Sequence, residues 1–426
     1  MSWYLNETMQ LSATVENKIQ VSEMIDAKRK KAPLEGIRIL AISQFGAGPF
    51  ATLNLADLGA EVIKIEDPVS GGDVARYVPP VIDEADSLYF QAFNRGKKSI
   101  GINLRDPDGI SVFHGLVKVS DAVFNNLRGD LPAKLGLTYD HLKHLNQAVV
   151  TCSLSGFGRT GPRAAEPGYD PIMQAMAGYM SITGEPGGPP VKAGVSIIDF
   201  AGGYAAALGL VSALLEAKST GVGRDVDVSL LDTAISMLTY FSSWQLNSNW
   251  EPTREPNSSH QTLVPAQNFQ TSDGWIAIFC AKEHFWRNLA ELIGMPHLIE
   301  DQRFNSFKSR YENRKELVEI LSKQLVQKST EKWLGQFQGK VPAGPVNTIE
   351  QALSEKQVHA RGLVASVEHP SLGITRQVVS SIATDGSNQA LTPGPALGEN
   401  TDDLLSDLLS LNPDQIKKLR DQGAVS

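Results

Sequence analysis

Residues 37–66 compress a strand, a helix and a second strand into about thirty positions, and this limits the fold more than any other feature. Ile37–Ile42 (IRILAI) is short, apolar and β-branched, as a buried strand is. The loop Ser43-Gln44-Phe45-Gly46-Ala47-Gly48 follows, and Pro49 stands where a helix tolerates proline. The helical run Phe50–Leu58 ends at Gly59, which suits a left-handed cap, and Glu61–Glu66 (EVIKIE) is the second strand. Two strands joined by a helix at this spacing lie parallel, so the chain belongs to the α/β class.

The alternation continues. Lys98–Leu104, Asp121–Asn125, Ala148–Ser153 and Val226–Leu230 read as strands, and Asp108–Val119 and Ala201–Lys218 as helices. Ile197–Ile198 closes a further short apolar segment. The character changes after about residue 245. Trp250–His260 is polar and proline-bearing, as a linker is, and is followed by a strand at Trp275–Cys280. Glu283–Leu292 and Asn313–Gln327 are helices, and Val341–Pro345 (VPAGP) reads as irregular. β-type sequence returns at Arg376–Ile382, and Thr401–Gln422 is mostly helical.

Composition excludes several classes. With 42% hydrophobic and 20% charged residues, the 426-residue chain is of ordinary globular type. A net charge of −8 argues against a nucleic-acid partner, because phosphate binding needs a basic field. The longest apolar stretch, Ala205–Leu215, is interrupted and falls short of the roughly 20 residues that span a bilayer. Residues 1–32 read as a solvated extension without a secretory pattern, and Glu7, Glu16, Glu23 and Asp26 spoil a transit-peptide pattern. Two cysteines, Cys152 and Cys280, are too few for a disulfide framework and fit a reducing compartment. The expected location is the cytoplasm, with mitochondria the alternative for a eukaryotic source.

The chemistry-bearing candidates are few. The Gly46-Ala47-Gly48 turn precedes a helix start, where N–H groups can hold an anion, and reads equally as a tight turn. The eight histidines form no metal-ligand spacing, so no metal is expected. No P-loop and no Gly-x-Ser-x-Gly elbow occurs. Asp199, in Ile197-Ile198-Asp199-Phe200-Ala201-Gly202-Gly203, has the best context among the acids. It is placed either to cap the helix or to act as a nucleophile, with the glycines letting a bulky ligand approach. Thr183–Pro190 is a turn-rich loop, either a lid or a plain connection.

Several segments, in order, resemble the class III CoA-transferases, the CaiB/BaiF family. They are PLEGIRIL, GAGPFAT and LADLGAEVIKIE within 33–66, GGDVAR at 71–76 and FNRGKKSIGINLRDPDG at 93–109. SGFGRTGPRAAEPGYD at 155–170, GEPGGPPVKAGVSIIDFAGG at 184–203, TGVGRDVDVSLLD at 220–232 and VPAGPVN at 341–347 complete the set. The resemblance implies a Rossmann-like large domain built from both chain ends, a smaller inserted α+β domain, and an interlocked homodimer. It divides the chain into an extension at 1–32, a CoA-binding domain at 33–245 and 376–426, and linkers with the small domain at 246–375.

The resemblance also implies transfer of CoA from an acyl-CoA to a free carboxylic acid, with the CoA thioester a substrate and no resident cofactor. By motif position Asp199 is the nucleophile. The implied CoA contacts are Phe45, Gly46, Ala47, Ile102, Arg105, Asn126, Leu127, Lys134 and Leu135, with Arg105 and Lys134 suiting the phosphates. Formyl-CoA transferase carries an arginine where this chain has Asp67 and a lysine where it has Pro167, so Lys64, Arg76, Lys97 or Arg163 would have to compensate. Tyr169, Asp170 and His260 are assigned to the substrate pocket. The same-fold alternative, a 2-methylacyl-CoA racemase, needs a histidine where this chain has Tyr169, and tyrosine is a poor base at neutral pH. The wording of the motifs, including HQTLVPAQNF at 260–269, looks closer to the dicarboxylate-using branch, which is similar to succinyl-CoA-dependent transferases, than to formyl-CoA transferase, and a carnitine-type or aromatic acid acceptor stays open.

Overall fold

The computed structural model describes residues 30–82, 86–384 and 391–426. The expected extension therefore lies, apart from its last three residues, outside the described residues. The chain divides into two compact units. The larger takes the chain up to Gly168, then Asp199–Thr233 and Gly362–Ser426; the smaller takes Tyr169–Ile198 and Ala234–Arg361. Against the expected bounds, 169–198 and 234–245 belong to the smaller unit and 362–375 to the larger.

The larger unit is built on six parallel strands: β1 (Arg38–Ile42), β2 (Glu61–Glu66), β3 (Lys98–Gly101), β4 (Ala122–Asn125), β5 (Val150–Ser155) and β6 (Asp225–Ser229). Their order across the sheet is β3-β2-β1-β4-β5-β6, the doubly wound order of dinucleotide-binding folds. In this order the connections leave β1 and β4 in opposite directions, opening a crevice at their carboxyl ends. β4 and β5 are buried along their whole length and β1 at its centre, as strands inside a parallel sheet are, although β5 alternates apolar residues with Thr151, Ser153 and Ser155.

Helix α1 (Ala47–Asp57) follows β1 directly, and Gly59 at φ +98° turns the chain back into β2. Helix α2 (Leu88–Asn94) is capped by the Ser87 hydroxyl, which accepts from the N–H groups of Tyr89 and Phe90. Helix α3 (Pro107–Lys118) starts at Asp106, whose carboxylate accepts from Asp108 and Gly109, with proline in its first turn. Its apolar face, Val112, Phe113, Leu116 and Val117, shares one core with Leu404, Leu405, Ile416 and Val425 from the last fifty residues. The chain end itself bonds to the sheet edge, Ser426 N–H to Gly101 C=O.

Helix α4 (Ile197–Thr220) begins four residues before its expected start, so Ile197 and Ile198 are its first turn. It is long and apolar enough to cross a membrane by length and composition, with a mean hydropathy of 1.6. In the fold its small and apolar face, Ala206, Leu210, Ala213, Leu214 and Ala217, is buried.

The smaller unit carries an antiparallel sheet, β7 (Ala266–Gln270), β8 (Trp275–Phe279) and β9 (Ala343–Pro345), in the order β9-β8-β7. Part of the segment expected to be irregular is thus a short edge strand. Proline is tolerated there because an edge residue need not donate to a ladder. Helices α5 (Glu283–Leu292), α6 (Arg314–Leu325) and α7 (Thr330–Phe337) cover a core of Trp286, Leu289, Leu317, Leu321, Leu325, Trp333 and Phe337. Trp333 satisfies its indole N–H on the Leu325 carbonyl at 2.7 Å.

The β-type return is a hairpin of β10 (Val364–His369) and β11 (Gly373–Val378). It starts twelve residues before the expected strand, because Glu368 and His369 disguise the first strand. Helices α8 (Thr401–Leu409) and α9 (Pro413–Asp421) close the chain.

Candidate active site

The crevice of the sheet is fixed residue by residue. Asn126, just past β4, accepts the Gln44 N–H on Oδ1 at 2.9 Å and donates Nδ2 to the Gln44 carbonyl at 2.8 Å. Lys64 Nζ donates to the Ser43 carbonyl at 2.5 Å and to Asp73 Oδ2 at 2.7 Å. Asp73 Oδ1 accepts the Phe45 N–H at 2.9 Å. Phe45 itself sits at φ +65°, a region costly for a bulky side chain. Three successive residues of the loop are therefore held by buried or partly buried side chains before helix α1 begins at Ala47.

Asp199 meets this loop. A Cβ added to Gly46 would stand 3.2 Å from Asp199 Oδ2 and 3.3 Å from Tyr89 Oη. Asp199 lies in the first turn of α4 and is buried. Its negative charge there is favoured by the helix dipole. Helix α4 starts at Ile197, so Asp199 stands third in its first turn and not at the residue before it, where an N-cap sits. Asp170 supplies a capping carboxylate from outside the helix, accepting the Ile198 N–H on Oδ2 at 2.7 Å and Gln174 Nε2 on Oδ1 at 2.6 Å. Gly202 and Gly203 do not open space for a ligand. A Cβ on Gly202 would stand 2.7 Å from Leu230, and one on Gly203 2.9 Å from Phe50, so they let α4 pack closely.

Around Asp199 runs a chain of aromatic rings. Centroid distances are 5.2 Å for Phe45–Tyr89, 5.1 Å for Tyr89–Phe93, 6.2 Å for Phe93–Phe200, 4.8 Å for Phe200–Phe50 and 5.0 Å for Phe50–Tyr204. Burial, with the charges of Asp199 and Asp73 adding to it, pushes the Tyr89 phenol up to about 12, so it stays a hydrogen-bond donor at neutral pH. Tyr89, Lys64 and Asp73 were not assigned to the site core from the sequence. The available signals were a lysine inside the apolar strand EVIKIE and the serine cap that begins SLYF.

The remaining expected contacts divide. Phe45, Gly46, Ala47 and Asn126 are brought together with Asp199 or with the loop that meets it. Leu127 packs partly buried against the core, and the Ile102 side chain is fully inside it. Arg105 is 81% exposed, with a loose pair to Asp67 at 3.9 Å. Lys134 pairs with Asp130 at 2.6 Å, and Leu135 is exposed beside it.

Three of the four compensating cations are corrected. Lys64 is consumed by Ser43 and Asp73, Arg76 by Glu66 at 2.7 Å, and Lys97 by the Pro49 carbonyl and Asn94, each at 2.9 Å. All three are buried or nearly so. Burial, with the Lys64 charge adding to it, holds the Lys97 ammonium well below its ordinary pKa. Arg163 is partly exposed but pairs with Glu166 and stacks on Phe157.

In the smaller unit, Tyr169 is 59% exposed and Asp170 is committed to the cap described above. His260 lines a cavity of about 580 Å³ with Tyr240, Gln267 and Phe279. Its Nδ1 accepts from the N–H groups of Thr262 and Leu263, which leaves the proton on Nε2, and burial lowers its pKa. No cluster of three metal-ligating side chains occurs among the described residues.

A family model, CoA-transferase family III, matches residues 34–401. The chain belongs to CoA-transferase family III. This family III CoA-transferase is 36% identical over 397 residues to succinyl-CoA:glutarate CoA-transferase of Mus musculus, which covers 92% of this chain and 90% of that one. It is 36% identical over 392 residues to succinate–glutarate CoA-transferase of Agrobacterium fabrum, covering 90% and 98%. Among solved structures, a CaiB/BaiF family protein from Brucella suis matches with a TM-score of 0.77 at 32% identity, covering 89% of this chain and 100% of that one. It is therefore an enzyme that transfers CoA.

Proposed function

We propose that this family III CoA-transferase takes CoA from succinyl-CoA and delivers it to a dicarboxylic acid, with Asp199 as nucleophile. The observation that carries the mechanism is Asp199 Oδ2 lying against Gly46 at the start of helix α1. A carboxylate there can reach a thioester carbonyl lodged in the crevice while N–H groups of the helix start face the developing oxyanion.

The steps balance without an oxidant or a metal. Asp199 attacks the donor thioester carbonyl; the acyl–oxygen bond forms, the carbon–sulfur bond breaks, and CoA leaves as thiolate. The thiolate attacks the Asp199 carbonyl of this mixed anhydride, releasing the donor acid and leaving an aspartyl-CoA thioester. The acceptor carboxylate repeats both steps in reverse and frees Asp199. Tyr89, protonated and beside Gly46, is suited to donate to the oxyanion.

The substrate choice is supported by the two named dicarboxylate-using relatives at 36% identity. Both are transferases, and Tyr169 stands where a racemase needs a second base, so epimerisation is not the reading adopted. Mass detection of new thioesters from succinyl-CoA and a panel of free acids tests the assignment. Exchange with glutarate and related diacids supports it. α-Deuterium uptake from D₂O into 2-methylacyl-CoA without any acid acceptor sinks it.

The functional unit in this proposal is an interlocked homodimer. Helix α4 leaves Tyr204, Leu208 and Leu215 on one face, the two leucines 70% and 75% exposed, and a second copy suits such an apolar stripe. Light scattering after size exclusion reads the state directly. The buried free thiols of Cys152 and Cys280 accord with a reducing compartment such as the cytoplasm.

A further inference from the structure

Between β2 and α2 lies a buried group of charges that no step above uses. Lys64 and Asp73 pair at 2.7 Å with both side chains essentially inaccessible, although an isolated charge is costly to bury. Asp73 also has its backbone N–H on Glu66 Oε2 at 3.0 Å, and Glu66 is held by Arg76 and by the Ser99 hydroxyl at 2.6 Å. The carboxylate of Asp73 thus has a fixed position.

What that carboxylate grips is the site loop. Oδ1 accepts two N–H groups at 2.9 Å, those of Phe45 and Ala75, and Oδ2 accepts Lys64, which reaches on to the Ser43 carbonyl. Phe45 is the loop's left-handed residue, and Gly46, which faces Asp199 Oδ2, follows it. Strained backbone of this kind persists only where its surroundings hold it.

We propose that Asp73, braced by Lys64, is a positioning residue for catalysis: it holds Phe45 in the left-handed conformation that sets Gly46 against Asp199. This rests on the reading of Asp199 as nucleophile. The donor set requires an acid. Three donors converge on Asp73, and a carboxylate offers two acceptor oxygens where an amide offers one. In Asp73→Asn, either Lys64 or the Phe45–Ala75 pair of N–H groups faces an NH₂ group.

The test follows the aspartyl-CoA adduct directly. The full-length enzyme is mixed with succinyl-CoA and quenched at short times, and the CoA adduct on the Asp199 peptide is measured by mass. Wild type, Asp73→Asn, Asp73→Ala, Phe45→Gly and the double variant Asp73→Ala/Phe45→Gly are compared, with folding checked by circular dichroism. We expect adduct formation to slow about 30-fold or more in Asp73→Asn and further in Asp73→Ala, with KM for succinyl-CoA changed by less than about threefold, as misplacement of reacting groups predicts. Glycine takes positive φ unaided, so the double variant recovers about tenfold over Asp73→Ala.

Adduct formation at the wild-type rate in folded Asp73→Asn overturns the proposal. So does a loss that tracks only the folded fraction and is not rescued by Phe45→Gly. If wild type forms a CoA adduct on a residue other than Asp199, or none, the nucleophile reading fails first and this proposal falls with it.

Discussion

Gly46 and Asp199 stand so close that a methyl group on the first would lie 3.2 Å from Oδ2 of the second. Gly46 has φ −106°, which other residues adopt, so glycine is required here for space rather than for conformation. In Gly46→Ala the carboxylate must shift by a few tenths of an ångström. Because small misplacements of a reacting group are costly, we expect kcat to fall about tenfold with thermal stability nearly unchanged. Steady-state kinetics beside a melting curve checks this, and an unchanged kcat would remove Gly46 from the site.

Tyr89 faces the same point, its Oη 3.3 Å from the position of that methyl. Tyr89→Phe keeps the ring stack on Phe45 and Phe93 and removes only the donor. Loss of one oxyanion donor lowers kcat by about 10²-fold in well-studied cases, so a fall of between about 10- and 100-fold is expected, with KM for succinyl-CoA little affected. A KM effect alone would assign Tyr89 to binding.

Asn126 tests how the loop is held from the other side. It satisfies both backbone groups of Gln44, and a Cβ on Gly48 would stand only 2.7 Å from its side chain. Asn126→Ala removes two hydrogen bonds, each worth about 1 kcal/mol, and leaves a gap beside Gly48. We expect chemical denaturation to show a loss of about 2 kcal/mol and KM for succinyl-CoA to rise.

Much of this was legible in the sequence, for physical reasons that differ by element. The parallel sheet followed from short apolar strands spaced by helices, and β1, β2 and β4 fall within a residue of their expected bounds. Hydrophobic periodicity carries that information locally. Asp199 stood out because a carboxylate at the junction of an apolar segment and a small-residue helix suits a cap or a nucleophile, and its motif position pointed to the second. What stayed hidden was non-local. Nothing near Asp199 shows that Asp170, twenty-nine positions earlier, reaches the first turn of α4 and accepts the Ile198 N–H. Nothing near Lys64 shows that its charge is spent on Asp73 rather than on a phosphate. The glycines at 202 and 203 misled for the same reason, since their neighbours Leu230 and Phe50 come from other elements.

Glu66 makes part of the stability pH-dependent on the acid side. Burial opposes its ionisation, but the hydrogen bond from Arg76 and the charge of Lys64 outweigh burial and hold its pKa below the ordinary 4.5. A carboxyl with a lowered folded-state pKa contributes stability that is fully present above its unfolded value and lost as pH falls through the folded one. The wild-type melting temperature should therefore drop as pH is lowered through 4.5 and beyond. Glu66→Gln should start lower at pH 7 and show a shallower slope in that window. Parallel slopes for the two proteins would mean that Glu66 titrates alike in both states.

Arg105 and Lys134, the two cations expected at the phosphates, are exposed, whereas Lys64, Arg76 and Lys97 are committed inside. Each is largely solvated, so a phosphate contact made by either would be worth less than about 1 kcal/mol and would be weakened by salt. Arg105→Ala and Lys134→Ala should each raise KM for succinyl-CoA by about threefold at low ionic strength while leaving kcat unchanged. The difference from wild type should shrink as salt approaches physiological strength, where the screening length is about 8 Å. Titration of KM against sodium chloride for the two variants reads this directly. A variant whose KM matches wild type at every salt concentration holds no phosphate, and its residue leaves the CoA site.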